Sequence, residues 1–232
     1  MKVIGMIGGM SWESSLEYYR IINLAVKEKL GGLHSARSLM YSVDFDEIEK
    51  FQHLGDWEKA TEMMVEAAHR VERGGADFII ICTNTMHKMA DEVEEGAGLP
   101  LLHIADAAAR AIKEQGLATV GLLGTRFTME EEFYRRRLEE KHQIKVFIPD
   151  RSDRQVVHDI IYNELCLGKI REESRQKYID IIQRFSEEGA EGVILGCTEI
   201  PLLIKQEFSP LPIFDTTDIH ARAAVEFALS DG

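Results

Sequence analysis

Basic residues and cysteine are both scarce in this 232-residue chain, and each shortage excludes something. Lys and Arg total 27 against 40 Asp and Glu, a formal net charge of −13. An extended basic surface for nucleic acid is therefore not expected, although backbone N–H groups at helix N-termini can still hold a small anion locally. The three cysteines, Cys82, Cys166 and Cys197, form no C-x-x-C pair, and any one disulfide would leave a thiol over, which argues against a disulfide scaffold and a structural zinc site. Long apolar runs are missing too: nothing approaches the ~20 residues of a membrane span. The apolar stretch near Met1 is broken by glycines and followed by Trp12-Glu13, without a secretory core or cleavage site. A cytoplasmic protein with reduced thiols and no membrane partner is expected.

What is present is a composition 45% hydrophobic and 29% charged, which suits a folded chain with a real core. The chain also resembles itself. Val3-Ile4-Gly5-Met6-Ile7-Gly8-Gly9-Met10-Ser11 reads as a buried strand, a glycine turn and a helix start, and Thr119-Val120-Gly121-Leu122-Leu123-Gly124-Thr125 repeats it. Gly75-Ala76-Asp77-Phe78-Ile79-Ile80-Ile81-Cys82-Thr83-Asn84 matches Gly189-Ala190-Glu191-Gly192-Val193-Ile194-Leu195-Gly196-Cys197-Thr198. Leu99-Pro100, Asp106 and Ala109-Arg110-Ala111 match Leu211-Pro212, Asp218 and Ala221-Arg222-Ala223. The three matches are collinear at nearly equal separations, which points to two similar halves. Each half alternates buried strands with helices such as 57–73 and 174–188, the pattern of βαβ units on a parallel sheet. No Pro/Gly/Ser-rich linker separates them. The expected domains are 1–98 with 208–232, and 99–207.

Ligands of open parallel sheets bind beyond the carboxyl ends of the strands. Four segments qualify: 8–11, 83–85, 124–128 and 197–199. Cys197 sits at a strand end beside a helix start, a position that lowers a thiol pKa and favours thiolate. The match between halves sets Thr83 opposite Cys197 and Cys82 opposite Gly196. Successive strand residues face opposite ways, so Cys82 is expected in the core. Asn84 and Thr85 offer an amide, a hydroxyl and N–H groups suited to a carboxylate. Met10-Ser11 and Thr125-Arg126 occupy the matching loops, and Thr128 with Glu131 reads as a capping box. His87, His103 and His220 show no metal-ligand spacing. Gly5-x-x-Gly8-Gly9 departs from a dinucleotide fingerprint. Cys166 lies in an expected helix end, 162–168, and reads as inert.

Gly8-Gly9-Met10-Ser11, Asn84-Thr85-Met86-His87, Leu122-Leu123-Gly124-Thr125 and Gly196-Cys197-Thr198-Glu199, in that order, resemble the aspartate/glutamate racemases. That family works without pyridoxal phosphate or any other cofactor. The resemblance spans nearly the whole chain. It implies two similar Rossmann-like α/β domains related by pseudo-twofold symmetry, with an amino-acid site between them and a homodimer as the assembly. Tyr18, Tyr19, Tyr41 and Phe45 are candidates for such a face or for ordinary core.

In the family pattern two cysteines flank the substrate Cα, one taking the proton and the other returning it. Here Thr83 holds the first cysteine's position. This departure is similar to the subgroup described as L-aspartate/glutamate-specific racemases, and it implies Thr83 and Cys197 as the acid–base pair. The resemblance places substrate contacts at Met10, Gln52, Asn84, Thr85, Thr125, Glu164, Thr198 and Glu199, of which Gln52 and Glu164 rest on it alone. One cysteine also suits a malonate decarboxylase or a maleate-type isomerase, and a non-catalytic amino-acid-binding protein would keep the cleft without a base. The polar run Thr83-Asn84-Thr85 argues against the bulky apolar pocket of an arylmalonate decarboxylase.

Overall fold

A computed structural model describes residues 1–230; Asp231 and Gly232, the last two residues of the expected 208–232 segment, lie outside the described residues. In chain order the elements are β1 (Ile4–Gly8), α1 (Trp12–Leu30), β2 (Ser38–Ser42), α2 (Phe45–Leu54), α3 (Trp57–Arg73), β3 (Phe78–Ile81), α4 (Ala90–Ala97) and α5 (Ile104–Glu114). There follow β4 (Thr119–Gly124), α6 (Arg126–Glu130), α7 (Glu132–Arg136), β5 (Lys145–Phe147), α8 (Arg151–Asn163), α9 (Glu172–Glu187), β6 (Gly192–Gly196), α10 (Ile200–Leu203), β7 (Ile213–Asp215) and α11 (Thr216–Leu229).

The contacts divide the chain into two compact units, Met1–Ile104 with the segment from His220 onward, and Ala105–Ile219. The chain passes between them at the head of α5 and inside α11. The return falls at His220, later than residue 208, because β7 pairs with β6 and keeps that stretch in the second sheet.

The first unit holds a parallel sheet in the order β2-β1-β3, and Leu101 adds one parallel bridge to Ile79. β1 and β3 are buried along their whole length, so their alternate residues enter two different cores, while the edge strand β2 is partly exposed. Ile4, Met6, Phe78, Ile80 and Cys82 pack against Tyr18, Ile22 and Val26 of α1 and Ala224 and Val225 of α11. Ile7, Ile79 and Ile81 pack against Ala60, Met64, Ala67 and Val71 of α3. Cys82 is thus a core residue, as the alternation predicts.

The second unit holds a parallel sheet in the order β5-β4-β6-β7. Leu123, Val193 and Leu195 form its core with Val157, Ile161 of α8 and Tyr178, Ile182 and Phe185 of α9. The repeat is visible in the turns that feed β3 and β6. Gly75 and Gly189 both have φ +93°, a left-handed conformation natural to glycine. Ala76 and Ala190 then donate to Val71 O and Phe185 O, each at a helix end. The carboxylates of Asp77 and Glu191 accept from the backbone that opens the neighbouring strand, Val3 N in one unit and Thr119 N in the other.

Candidate active site

All four loops picked out by their position follow the carboxyl ends of parallel strands, β1, β3, β4 and β6. In the first unit, β1 ends in Gly8-Gly9. A Cβ on Gly9 (φ +98°) would lie 2.2 Å from Val43 O, so only glycine lets the loop pass there. Gly9 N donates to Ser15 Oγ at 2.7 Å, and Ser15 Oγ donates to Ser11 O at 3.0 Å. Ser11 caps α1 by accepting from Ser14 N, and Met10 is buried. These bonds fix the shape of the 8–11 loop before any ligand arrives.

Two residues past the end of β3 stands Thr83, half-buried. A single 3₁₀ turn, Thr85–Met89, follows Asn84, and Asn84 and Thr85 are buried. His87 Nδ1 lies 2.8 Å from Thr83 O, and Ile104 N donates to His87 Nε2 at 3.2 Å. A ring nitrogen that accepts from a backbone N–H carries no proton, so the proton is on Nδ1 and is donated to Thr83 O. His87 is thus a neutral strut between the Thr83 loop and the head of α5.

Behind it, His103 lies tilted at 4.6 Å between ring centroids and His220 lies edge-on at 5.5 Å. His220 Nε2 donates to Leu102 O at 2.7 Å while Nδ1 accepts from Tyr18 Oη at 2.9 Å. Burial pulls the His220 pKa down to about 4. The three histidines form a buried cluster, and no set of His, Cys, Asp or Glu suited to a metal ion occurs among the described residues. Gln52, inferred from resemblance alone, is buried against this loop, donating to Met86 Sδ at 3.1 Å.

In the second unit β4 and β6 run side by side, and Gly124 is paired with Gly196. A Cβ on Gly124 would come within 2.9 Å of Gly196 O, so the paired glycines let the strands close up. Thr125 and Cys197 therefore leave from adjacent rungs. Thr125, rather than Thr128, caps α6: its Oγ1 accepts from Thr128 N at 3.3 Å, because the helix begins directly after β4. Thr128 lies inside that helix and Glu131 makes no side-chain cap, so the expected capping box does not form.

Cys197 Sγ donates to Glu199 Oε2 at 3.0 Å, and Thr198 Oγ1 donates to the same oxygen at 2.8 Å. Cys197 and Glu199 are both buried. The thiolate expected from a helix start does not arise. α10 is only four residues long, and burial together with the Glu199 carboxylate pushes the thiol pKa well above its ordinary value. The resting pair is a thiol beside a carboxylate.

Glu164 closes α8, with Oε2 accepting from Ser174 Oγ at 2.6 Å and Oε1 3.5 Å from Arg171 Nη1. The turn after it, Leu165–Leu167, packs on α10, the short helix that follows Cys197-Thr198-Glu199. Cys166 lies against the same core. Two features escaped the sequence reading, the His87 strut and the thiol–carboxylate bond. A histidine four residues after Thr83 and a glutamate two after Cys197 were the available signals.

A family model described as Asp/Glu/Hydantoin racemase matches residues 7–224. The chain belongs to that family. A Yersinia pestis protein, a candidate Asp/Glu racemase known from its crystal structure, is 56% identical, covers 99% of this chain and 100% of its own, and superposes with a TM-score of 0.94. An aspartate racemase homologue from Pyrococcus horikoshii is 37% identical with the same coverage, at a TM-score of 0.87. A broad specificity amino-acid racemase of Bacillus subtilis is 25% identical over 179 residues, 75% of each chain. No helix among the described residues of this racemase-family chain is long and apolar enough to cross a membrane.

Proposed function

We propose that the protein is a cofactor-independent racemase of aspartate and/or glutamate, with Thr83 and Cys197 as its acid–base pair and a preference for the L-enantiomer as starting substrate. The observation that carries this reading is the buried thiol of Cys197 bonded to Glu199 at a parallel-strand end. A thiol with a carboxylate 3.0 Å away can release its proton to that carboxylate and take one from carbon, which is the step racemisation needs.

Removing a proton next to a carboxylate is hard because the carbanion adds charge beside an anion. The site must therefore present donors to the α-carboxylate before reaction. Asn84, Thr85, Thr125 and Thr198 supply them, with Met10, Gln52, Glu164 and Glu199 completing the contacts. Glu199 has two tasks in turn, holding the Cys197 proton at rest and receiving it when the sulfur becomes the base. Thr83 is the weaker partner, since its hydroxyl is hardly ionised near neutral pH. It donates or relays a proton and abstracts one slowly. His87 keeps the Thr83 backbone fixed while it does so.

Free enantiomers have equal energy, so kcat/KM must be equal in both directions. An L-preference therefore resides in the separate kcat and KM values, or in hydrogen exchange without inversion. The test is proton NMR in D2O with each enantiomer of aspartate and glutamate, no cofactor added, following loss of the Cα proton beside chiral analysis. Exchange with inversion supports the reading. Absence of exchange from all four substrates overturns it.

A further inference from the structure

At the carboxyl edge of the second sheet, beside Thr125, an open cavity of about 710 Å³ is lined by Arg126, Glu130, Asp150, Arg151, Ser152 and Gln155. Its two carboxylates are already engaged. Glu130 pairs with Arg154 at 2.9 Å, and Asp150 accepts from Ser152 Oγ at 2.7 Å and Asp153 N at 2.9 Å. The two guanidinium groups are different. Beyond lying over the ring of its neighbour Phe127, at 5.8 Å, the Arg126 side chain makes no hydrogen bond or ion pair with a described residue. Arg151 makes none either among the described residues. Two uncommitted arginines in one hollow are conspicuous in a chain of net charge −13.

The sheet places the backbone that carries Arg126 beside the backbone that carries Cys197. Gly124 and Gly196 are paired, so Thr125-Arg126 and Cys197-Thr198 leave neighbouring rungs about 5 Å apart. The need for a cation follows from the substrate. Met10, Gln52, Asn84, Thr85, Thr125 and Thr198 are neutral, and Glu164 and Glu199 are acidic. None offsets the extra charge of a dicarboxylic amino acid.

We propose that Arg126, with Arg151 behind it, binds the side-chain carboxylate of a dicarboxylic amino acid at the rim of this cavity and makes the enzyme select substrates with two carboxylates. A guanidinium suits the task because its planar N–H groups match a carboxylate in two parallel bonds. The inference rests on the racemase reading and names the side-chain recognition that reading lacks.

The experiment compares Cα hydrogen exchange of L-glutamate and L-glutamine, which differ at the distal group, in wild type, Arg126→Gln and Arg151→Gln. The expected result is a fall of about tenfold or more in the glutamate-to-glutamine ratio of kcat/KM for Arg126→Gln, and a smaller fall for Arg151→Gln. A purely structural role would lower both substrates together and leave the ratio in place, which overturns the proposal. Failure of wild type to exchange any amino acid would count against the racemase reading, and glutarate binding by calorimetry then decides this proposal alone. Binding that Arg126→Gln weakens supports it. Glutarate that fails to bind, or binds both proteins equally, overturns it.

Discussion

Cys197 Sγ lies 3.0 Å from Glu199 Oε2, so the sulfur is held as a proton donor by the acid two residues on. Burial and that carboxylate both raise the thiol pKa, and both act by disfavouring thiolate. Glu199→Gln removes the charge and leaves the burial. Alkylation of Cys197 by iodoacetamide is then expected to begin at lower pH than in wild type, while Cα exchange falls about 10²-fold or more because the proton acceptor is gone. A reactivity profile that stays in place or moves to higher pH contradicts the pairing.

His87 joins Thr83 O to Ile104 N through one neutral ring. His87→Leu leaves a buried carbonyl and a buried N–H without that partner, at an expected cost of about 1–3 kcal/mol in urea unfolding. Because Thr83 loses its support, inversion should fall more than exchange. Equal loss of both would make His87 a matter of stability only.

His220 carries a pH signature whose sign is fixed by its lowered pKa. Unfolded, the ring binds a proton near pH 6.5; folded, it stays neutral down to about pH 4. Between those values the unfolded chain holds the extra proton, so stability is full above pH 6.5 and drains away as pH falls toward 4, by about 3 kcal/mol. His220→Gln should flatten that part of the curve of unfolding free energy against pH. A slope unchanged in the variant would assign it to other groups.

Gly121 shows the repeat under packing constraint. A Cβ there would lie 2.3 Å from Phe185 Cδ2, and Phe185 is buried. Gly121→Ala is expected to destabilise the second unit by about 1–3 kcal/mol. Phe185→Leu in the same chain should recover part of that loss, which a double-mutant cycle measures.

Much of this architecture is legible in the residues because each rule involved is local. Glycine-ended apolar runs mark β1, β4 and β6, and the repeat of Gly75-Ala76-Asp77 at Gly189-Ala190-Glu191 predicts matching turns, which the φ angles and hydrogen bonds reproduce. Alternation along β3 correctly sends Cys82 into the core. The failures concern properties that depend on contacts. The state of the Cys197 thiol turns on burial and on where the Glu199 side chain folds, and neither follows from a strand-end position. Thr128 looks like a cap until the end of β4 at Gly124 gives that place to Thr125. The return of the chain at His220 depends on β7 joining the second sheet, and a three-residue strand leaves little trace in sequence.

Thr83 and Cys197, as proposed, serve the same carbon unequally. The most direct test starts from pure L- and pure D-glutamate in D2O, and measures loss of the Cα proton and chiral inversion in the same samples. Exchange is expected to outrun inversion from one enantiomer, the one whose proton faces Cys197, and Cys197→Ala is expected to abolish both while Cys82→Ala retains them. Exchange and inversion at equal rates from both enantiomers would contradict it.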